Sequence, residues 1–175
     1  FYGSFWDGLQ YVRLSDDLKS LYPGERPVTI ASSKKDRRKE NPPSIDNNPV
    51  DAGGNAIEAP FVFKKGNYYY LFASIDYCCK GIESTYKMIY GRSENVEGPY
   101  YDKDGKDMLF GGGTILMEGD ENWHGVGHNA VVNDFDKDYL IFHGYDALDE
   151  GRSKLRIFTL KWDKELWPTV DEAIY

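Results

Sequence analysis

A lone glutamate, Glu58, heads an apolar run in Asn55-Ala56-Ile57-Glu58-Ala59-Pro60-Phe61, between the glycine-rich approach Gly53-Gly54 and a proline. A carboxylate in that place is expected to aim into a cavity rather than pack in a core, because burying it unpaired is costly. Seventy residues further on, His128 holds the corresponding place in Gly125-Val126-Gly127-His128-Asn129-Ala130-Val131. The two side chains are therefore expected to face one common space. Asn55 and Asp76 are polar groups that could supply hydrogen bonds at the floor of that space, and Phe5 and Trp6 are aromatic candidates for its wall.

The elements that position these residues repeat at the same interval. Tyr68-Tyr69-Tyr70-Leu71-Phe72-Ala73-Ser74-Ile75-Asp76 falls on Asp138-Tyr139-Leu140-Ile141-Phe142-His143-Gly144-Tyr145-Asp146, so Asp76 lies over Asp146. Gly98-Pro99 meets Trp167-Pro168 one residue short of that interval, and Tyr2-Gly3-Ser4-Phe5-Trp6 falls on Phe72-Ala73-Ser74-Ile75-Asp76. A fixed period of this kind signals a repeat architecture. In that frame the chain opens in the middle of a unit, and the strand matching Glu58 would lie upstream of Phe1. The expectation is a C-terminal part of a larger protein, or one half that pairs with a separate chain.

Strand-like runs dominate: Leu9 to Leu14, Ala59 to Phe63, Tyr68 to Ser74, Lys87 to Gly91, Ala130 to Asn133, Tyr139 to Gly144 and Leu155 to Leu160. They are short, rich in β-branched and aromatic residues, and bounded by Gly, Pro, Asn or Asp. Lys64-Lys65-Gly66-Asn67 and Asp134-Phe135-Asp136-Lys137 read as hairpin turns, and no stretch carries a helical period. Each unit reads as a four-stranded antiparallel blade with a weakly marked last strand. Blades of a propeller place their inner strands around one channel, which would bring Glu58 and His128 together. The segment from Tyr22 to Gly54 reads as a long insertion forming part of a cleft wall.

A chain of 175 residues can bury a sizeable core. Fourteen Tyr, nine Phe, four Trp and eighteen Gly suit short strands, tight turns and a stacking cleft. A net charge of -8 argues against a nucleic-acid surface. The one basic run, Lys34-Lys35-Asp36-Arg37-Arg38-Lys39, has no interleaved aromatics and reads as a solvated loop. Cys78 and Cys79 are adjacent, which suits neither a zinc site nor an ordinary disulfide framework, so buried or cleft-lining thiols are expected. No signal peptide or transmembrane run is recognisable, and no membrane partner is expected.

Several motifs in order carry a family resemblance. Gly3-Ser4-Phe5-Trp6-Asp7-Gly8, Ala56-Ile57-Glu58-Ala59-Pro60-Phe61, Asp76-Tyr77-Cys78-Cys79-Lys80-Gly81, Ser84-Thr85-Tyr86-Lys87, Gly91-Arg92-Ser93, Gly98-Pro99-Tyr100, Gly111-Gly112-Gly113-Thr114 and Gly127-His128-Asn129 together resemble endo-1,5-α-L-arabinanases of glycoside hydrolase family 43. The resemblance runs nearly end to end. It implies an all-β, five-bladed β-propeller, of which residues 1–175 are the C-terminal part, supplying roughly the last three blades with the first of them incomplete. It also implies inverting hydrolysis of α-1,5-linked arabinofuranose chains. Glu58 would be the general acid, while the general base and the aspartate that tunes the acid would lie on the N-terminal blades. Residues 1–175 alone are then expected to be inactive, with the N-terminal half of the propeller as partner, in the same or a separate chain.

The resemblance further implies that His128 holds a hydrated calcium or similar ion; Phe5 and Trp6 are then candidates for stacking on arabinose rings, and Asn55 and Asp76 for hydrogen bonds at the cleft floor. Independently of it, a carboxyl in a funnel walled by Phe61, Phe5 and Trp6 near a second carboxylate is expected to have a raised pKa; the competing expectation pairs Glu58 with Arg92. His143 reads as a strand residue on a pleated face and His124 as a loop residue. Two rival readings are an exo-acting α-L-arabinofuranosidase or β-xylosidase of the same fold and a non-catalytic carbohydrate-binding propeller. Extracellular or periplasmic placement follows from the substrate class alone.

Overall fold

A computed structural model describes residues 1–3, 8–33 and 56–175. Ten strands follow one another: β1 (Leu9–Tyr11), β2 (Val28–Ala31), β3 (Ile57–Lys65), β4 (Tyr68–Ile75), β5 (Lys87–Ser93), β6 (Thr114–Met117), β7 (Trp123–Asp134), β8 (Lys137–Asp146), β9 (Arg152–Trp162) and β10 (Pro168–Ala173). Among the described residues there is no α-helix. β3 to β6 and β7 to β10 form two four-stranded antiparallel meanders with neighbours in chain order, and β1 pairs with β2 in a small third sheet.

The seven strand-like runs of the sequence each lie in one of these strands or overlap it, and the weakly marked fourth strands are β6 and β10. The two hairpins close through Gly66-Asn67 and Phe135-Asp136. Phe135 takes a left-handed φ of 53° with its ring 93% exposed, at a turn position that glycine fills in the first hairpin. One expectation is corrected in part: Val28–Ala31, inside the Tyr22 to Gly54 segment, is a strand and pairs with β1. Residues 34–54 of that segment, including the basic run, lie outside the described residues.

Side chains of β4 alternate between two cores. Tyr70 and Phe72 join Met88, Tyr90, Val131, Leu140, Phe142, Leu160 and Trp167 between the two large sheets. Leu71 and Ala73 join Leu9, Ile30, Ala31, Ile57 and Ile89 on the other face, against β1 and β2. A strand buried on both faces needs a continuous apolar run, which is what Tyr70 to Ala73 supplies.

At the turn end of the large sheets, polar side chains clasp one sheet to the other. Asp138, 3% exposed, accepts from Lys65 Nζ, from Asn133 Nδ2 at 2.7 Å and from Trp162 Nε1 at 2.6 Å. Arg92 lies over the rings of Tyr68 (4.2 Å) and Trp167 (3.7 Å) and donates to the Glu165 carbonyl. The opposite end of the sheets is left to the loops and to the strand heads.

The connection from β4 to β5, residues 76–86, is longer than its counterpart from β8 to β9, residues 147–151. Within it Cys78 and Cys79 form a disulfide with each other, which corrects the expectation of free thiols. The Cys79 N–H donates to Tyr145 Oη at 2.8 Å, and Lys80 N–H to Ser84 Oγ at 3.0 Å. Gly81 and Gly151 bring the two loops together so closely that a Cβ on Gly151 would lie 2.7 Å from Ile82 N.

Candidate active site

Glu58 sits at the open end of β3, opposite Ser74 of β4, and the register then slips by one residue before Phe61 pairs with Phe72. Ala59 takes φ 55° at this bulge. β7 carries the same device: its register slips between Gly127 and Ala130, and His128 takes φ 55°. Extra residues of this kind re-aim a side chain without ending the strand. The two inner strands are thus kinked at matching places, and the Ser74 Oγ opposite Glu58 accepts from the His128 N–H at 2.9 Å.

Tyr86 provides the direct partner of Glu58. It lies just ahead of β5, is 1% exposed, and its Oη donates to Glu58 Oε1 at 2.7 Å. Burial, reinforced by the Glu58 carboxylate, pushes the phenol well above its ordinary pKa, so it remains a donor at any working pH. Its ring lies against Gly127, where a Cβ would come within 2.2 Å of two ring carbons. Gly127 therefore serves close approach. The expected alternative partner, Arg92, is at the other end of β5, in the clasp already described.

His143 of β8 stands behind this pair. Its ring stacks on Tyr86 at 5.8 Å and 23°, meets Tyr145 edge-on at 5.4 Å, and lies 6.4 Å from the ring of His128. Burial, with the nearby His128, lowers its pKa against a smaller opposing pull from Glu58, so the ring is neutral at neutral pH. Among the described residues its buried Nε2 has no hydrogen-bond partner, nor do the side-chain amide atoms of Asn129, which is 3% exposed.

The other sequence candidates divide. Asp76 follows β4 with φ 65° and forms an ion pair with Lys87 at 3.1 Å. Phe61 is half-buried and packs against the core between the large sheets. Phe5, Trp6 and Asn55 lie outside the described residues. His124, expected in a loop, is in β7 and lines a polar cavity of about 170 Å³ with Tyr86, Lys87, Glu118 and Asp120. Sequence reasoning passed over Tyr86 and His143. Tyr86 belongs to the Ser84-Thr85-Tyr86-Lys87 motif, whereas nothing in a strand pattern distinguishes His143 from a neighbour on a pleated face.

Chemically, the arrangement is a single carboxyl with one oxygen engaged by a neutral phenol. When protonated, such a group can donate to the oxygen of a departing alcohol. For a cation, His128 offers one imidazole: among the described residues no group of three or more His, Cys, Asp or Glu is placed to hold a metal. An oxygen-preferring ion such as calcium would therefore find no group of three such ligands among the described residues, and His128 would serve it as a single nitrogen ligand. Among the described residues no helix is long and apolar enough to cross a membrane.

The family model for glycosyl hydrolases family 43 matches residues 5–168. The extracellular exo-alpha-(1->5)-L-arabinofuranosidase ArbA of Cellvibrio japonicus is 46% identical over 171 residues, covering 98% of this chain and 47% of that protein. The extracellular endo-alpha-(1->5)-L-arabinanase 1 of Bacillus subtilis is 41% identical over 168 residues, covering 96% of this chain and 45% of that protein. Among solved structures, the Cellvibrio cellulosa alpha-L-arabinanase complexed with arabinohexaose superposes with a TM-score of 0.84 at 44% identity, covering 97% of this chain and 51% of that one. The chain spans about half the length of these curated relatives.

Proposed function

The chain belongs to glycosyl hydrolases family 43, and we propose that it carries the general acid of an extracellular hydrolase that cleaves α-1,5-L-arabinofuranosidic bonds in arabinan. The observation that carries this reading is the Glu58 carboxyl, re-aimed by a bulge at a strand head and hydrogen-bonded by the buried Tyr86.

In an inverting displacement one carboxylic acid protonates the leaving oxygen while a second carboxylate, about 6.5 to 9.5 Å away, activates water on the opposite face of the sugar. Glu58 takes the first role. Tyr86 fixes which of its oxygens faces the substrate, because the oxygen that accepts from the phenol is turned away from the leaving group. The base and the aspartate that tunes the acid are proposed to lie in the part of the relatives' length that this chain does not span. On that reading the two four-stranded sheets are blades of a five-bladed propeller, completed by an N-terminal half in the same or a partner chain, and residues 1–175 alone do not turn over arabinan. Phe5, Trp6, Asn55 and Asp76 are proposed sugar contacts. His128 is proposed as one ligand of a calcium or similar ion otherwise held by water; that ion would supply positive charge near the reacting centre, and no step here depends on it.

Endo action is the leading assignment. Exo action is the second reading, favoured by the exo-acting name of the 46% identical Cellvibrio relative. Product analysis on linear arabinan separates them: a ladder of oligosaccharides marks endo cleavage, and a single short product released from the start marks exo. The decisive experiment is Glu58→Gln in the full-length protein, with arabinan hydrolysis expected to fall by about 10² to 10⁴-fold while binding is largely kept. Unchanged hydrolysis removes Glu58 from the acid role, and a wild-type protein that binds arabinan without cleaving it supports a carbohydrate-binding propeller instead.

A further inference from the structure

We infer that His143 is a positioning residue for the acid, holding the ring of Tyr86 so that its hydroxyl stays on Glu58; the inference rests on the hydrolase reading above. Tyr86 is confined from two sides. Gly127 offers a flat stretch of backbone that the ring touches closely enough to forbid a Cβ. The imidazole of His143 stacks on the ring at 5.8 Å and a 23° interplanar angle. Held in this way, the phenol places its oxygen 2.7 Å from Glu58 Oε1.

His143 is itself fixed. It is carried on β8, which is paired on both sides, with His143 opposite Gly127 of β7 and Leu155 of β9. The edge of Tyr145 abuts it, and the Tyr145 hydroxyl receives the Cys79 N–H, so the disulfide loop and the acid's support share one anchor. The titratable groups that face the imidazole are Glu58 from β3, Tyr86 ahead of β5, His128 from β7 and Tyr145 from its own strand.

The role differs from simple packing in what it does to kinetics. Small displacements of a catalytic group cost rate while leaving substrate affinity nearly untouched. A general acid matters most when the leaving group is a poor one, such as a sugar alcohol, and least when it is an activated phenol that departs without a proton.

The test uses the full-length protein with two substrates, linear arabinan and a 4-nitrophenyl glycoside of an α-1,5-arabino-oligosaccharide. His143→Ala is expected to lower kcat on arabinan by about 10- to 100-fold, with KM little changed and a much smaller loss on the aryl glycoside. His143→Phe, which keeps a flat ring against Tyr86, is expected to recover most of the lost rate. In a Tyr86→Phe background His143→Ala is expected to add little, since both changes act on the same hydrogen bond. Equal losses on both substrates, full additivity with Tyr86→Phe, or a His143→Phe variant no better than His143→Ala overturns the inference while leaving the function standing. A wild-type protein that cleaves neither substrate overturns both.

Discussion

The two large sheets are built on one plan and put to different uses. Each begins with an inner strand kinked by a bulge, turns through a two-residue hairpin, and has an aspartate at or just after the end of its second strand that holds a lysine of the third: Asp76 with Lys87 at 3.1 Å, Asp146 with Lys154 at 2.7 Å. They differ at the strand head, Glu58 against His128, and in the connection between second and third strands. In the first sheet that connection is long, carries the Cys78–Cys79 disulfide, and ends by delivering Tyr86 to Glu58. In the second it is short and ends in a tight turn at Gly151. On the proposed reading, one different head residue and one longer loop give a repeated scaffold its proton donor. The second sheet contributes His143 and Gly127 as support from the side.

Perturbing the first sheet's additions should cost activity, and perturbing what the sheets share should cost stability. After the Glu58 substitution described above, Gly127→Ala is expected to have the largest effect. The added methyl falls on the Tyr86 ring, so arabinan turnover should drop by about 10²-fold, with about 1 to 3 kcal/mol lost from stability through overpacking; steady-state kinetics and denaturant unfolding read the two. Tyr86→Phe keeps the ring and deletes only the hydroxyl on Glu58. Its kcat on arabinan should fall by about 10-fold, consistent with about 1.4 kcal/mol of lost acid positioning, and a variant with wild-type kcat would show that the phenol is a bystander.

Asp138→Asn tests the shared frame. Removing the charge from a buried carboxylate that accepts three hydrogen bonds should cost about 1 to 3 kcal/mol in unfolding free energy, with KM and kcat unchanged, since the clasp is at the end remote from Glu58. The same group predicts a pH dependence. Burial alone would raise the Asp138 pKa, but the hydrogen bonds from Lys65, Asn133 and Trp162 outweigh it and the pKa is lowered. Its contribution is therefore fully present above the ordinary aspartate range and is lost as pH falls through the lowered folded value. Acid unfolding should show this component in the wild type and lack it in Asp138→Asn. The smallest effect is expected for Tyr145→Phe, which removes one hydrogen bond to Cys79 N–H: about 1 kcal/mol in stability and a modest change in rate, read by thermal unfolding and arabinan assay.

Much of this was legible in the chain itself. Aromatic and aliphatic runs at Tyr68 to Ser74 and Tyr139 to Gly144, turn residues at Gly66-Asn67, and the recurrence of Glu58 as His128 announce two similar antiparallel units, because strand-favouring residue types and turn chemistry act locally. β2 escaped notice because a four-residue strand amid Pro, Asn and charge has no pattern long enough to stand out. The partner of Glu58 escaped because a loop's destination depends on where its two strands sit, not on its own composition.

The sequence by itself determined the class of fold and the repeat, and singled out the carboxylate proposed as the acid, through residue types whose preferences act over a few neighbours. Tertiary structure alone decided that adjacent cysteines join each other, that Arg92 serves a clasp while Tyr86 reaches Glu58, and that a histidine on a pleated face stands behind the Glu58–Tyr86 pair. Those are contacts between segments far apart in the chain, and their partners are chosen by packing geometry, which no local pattern encodes.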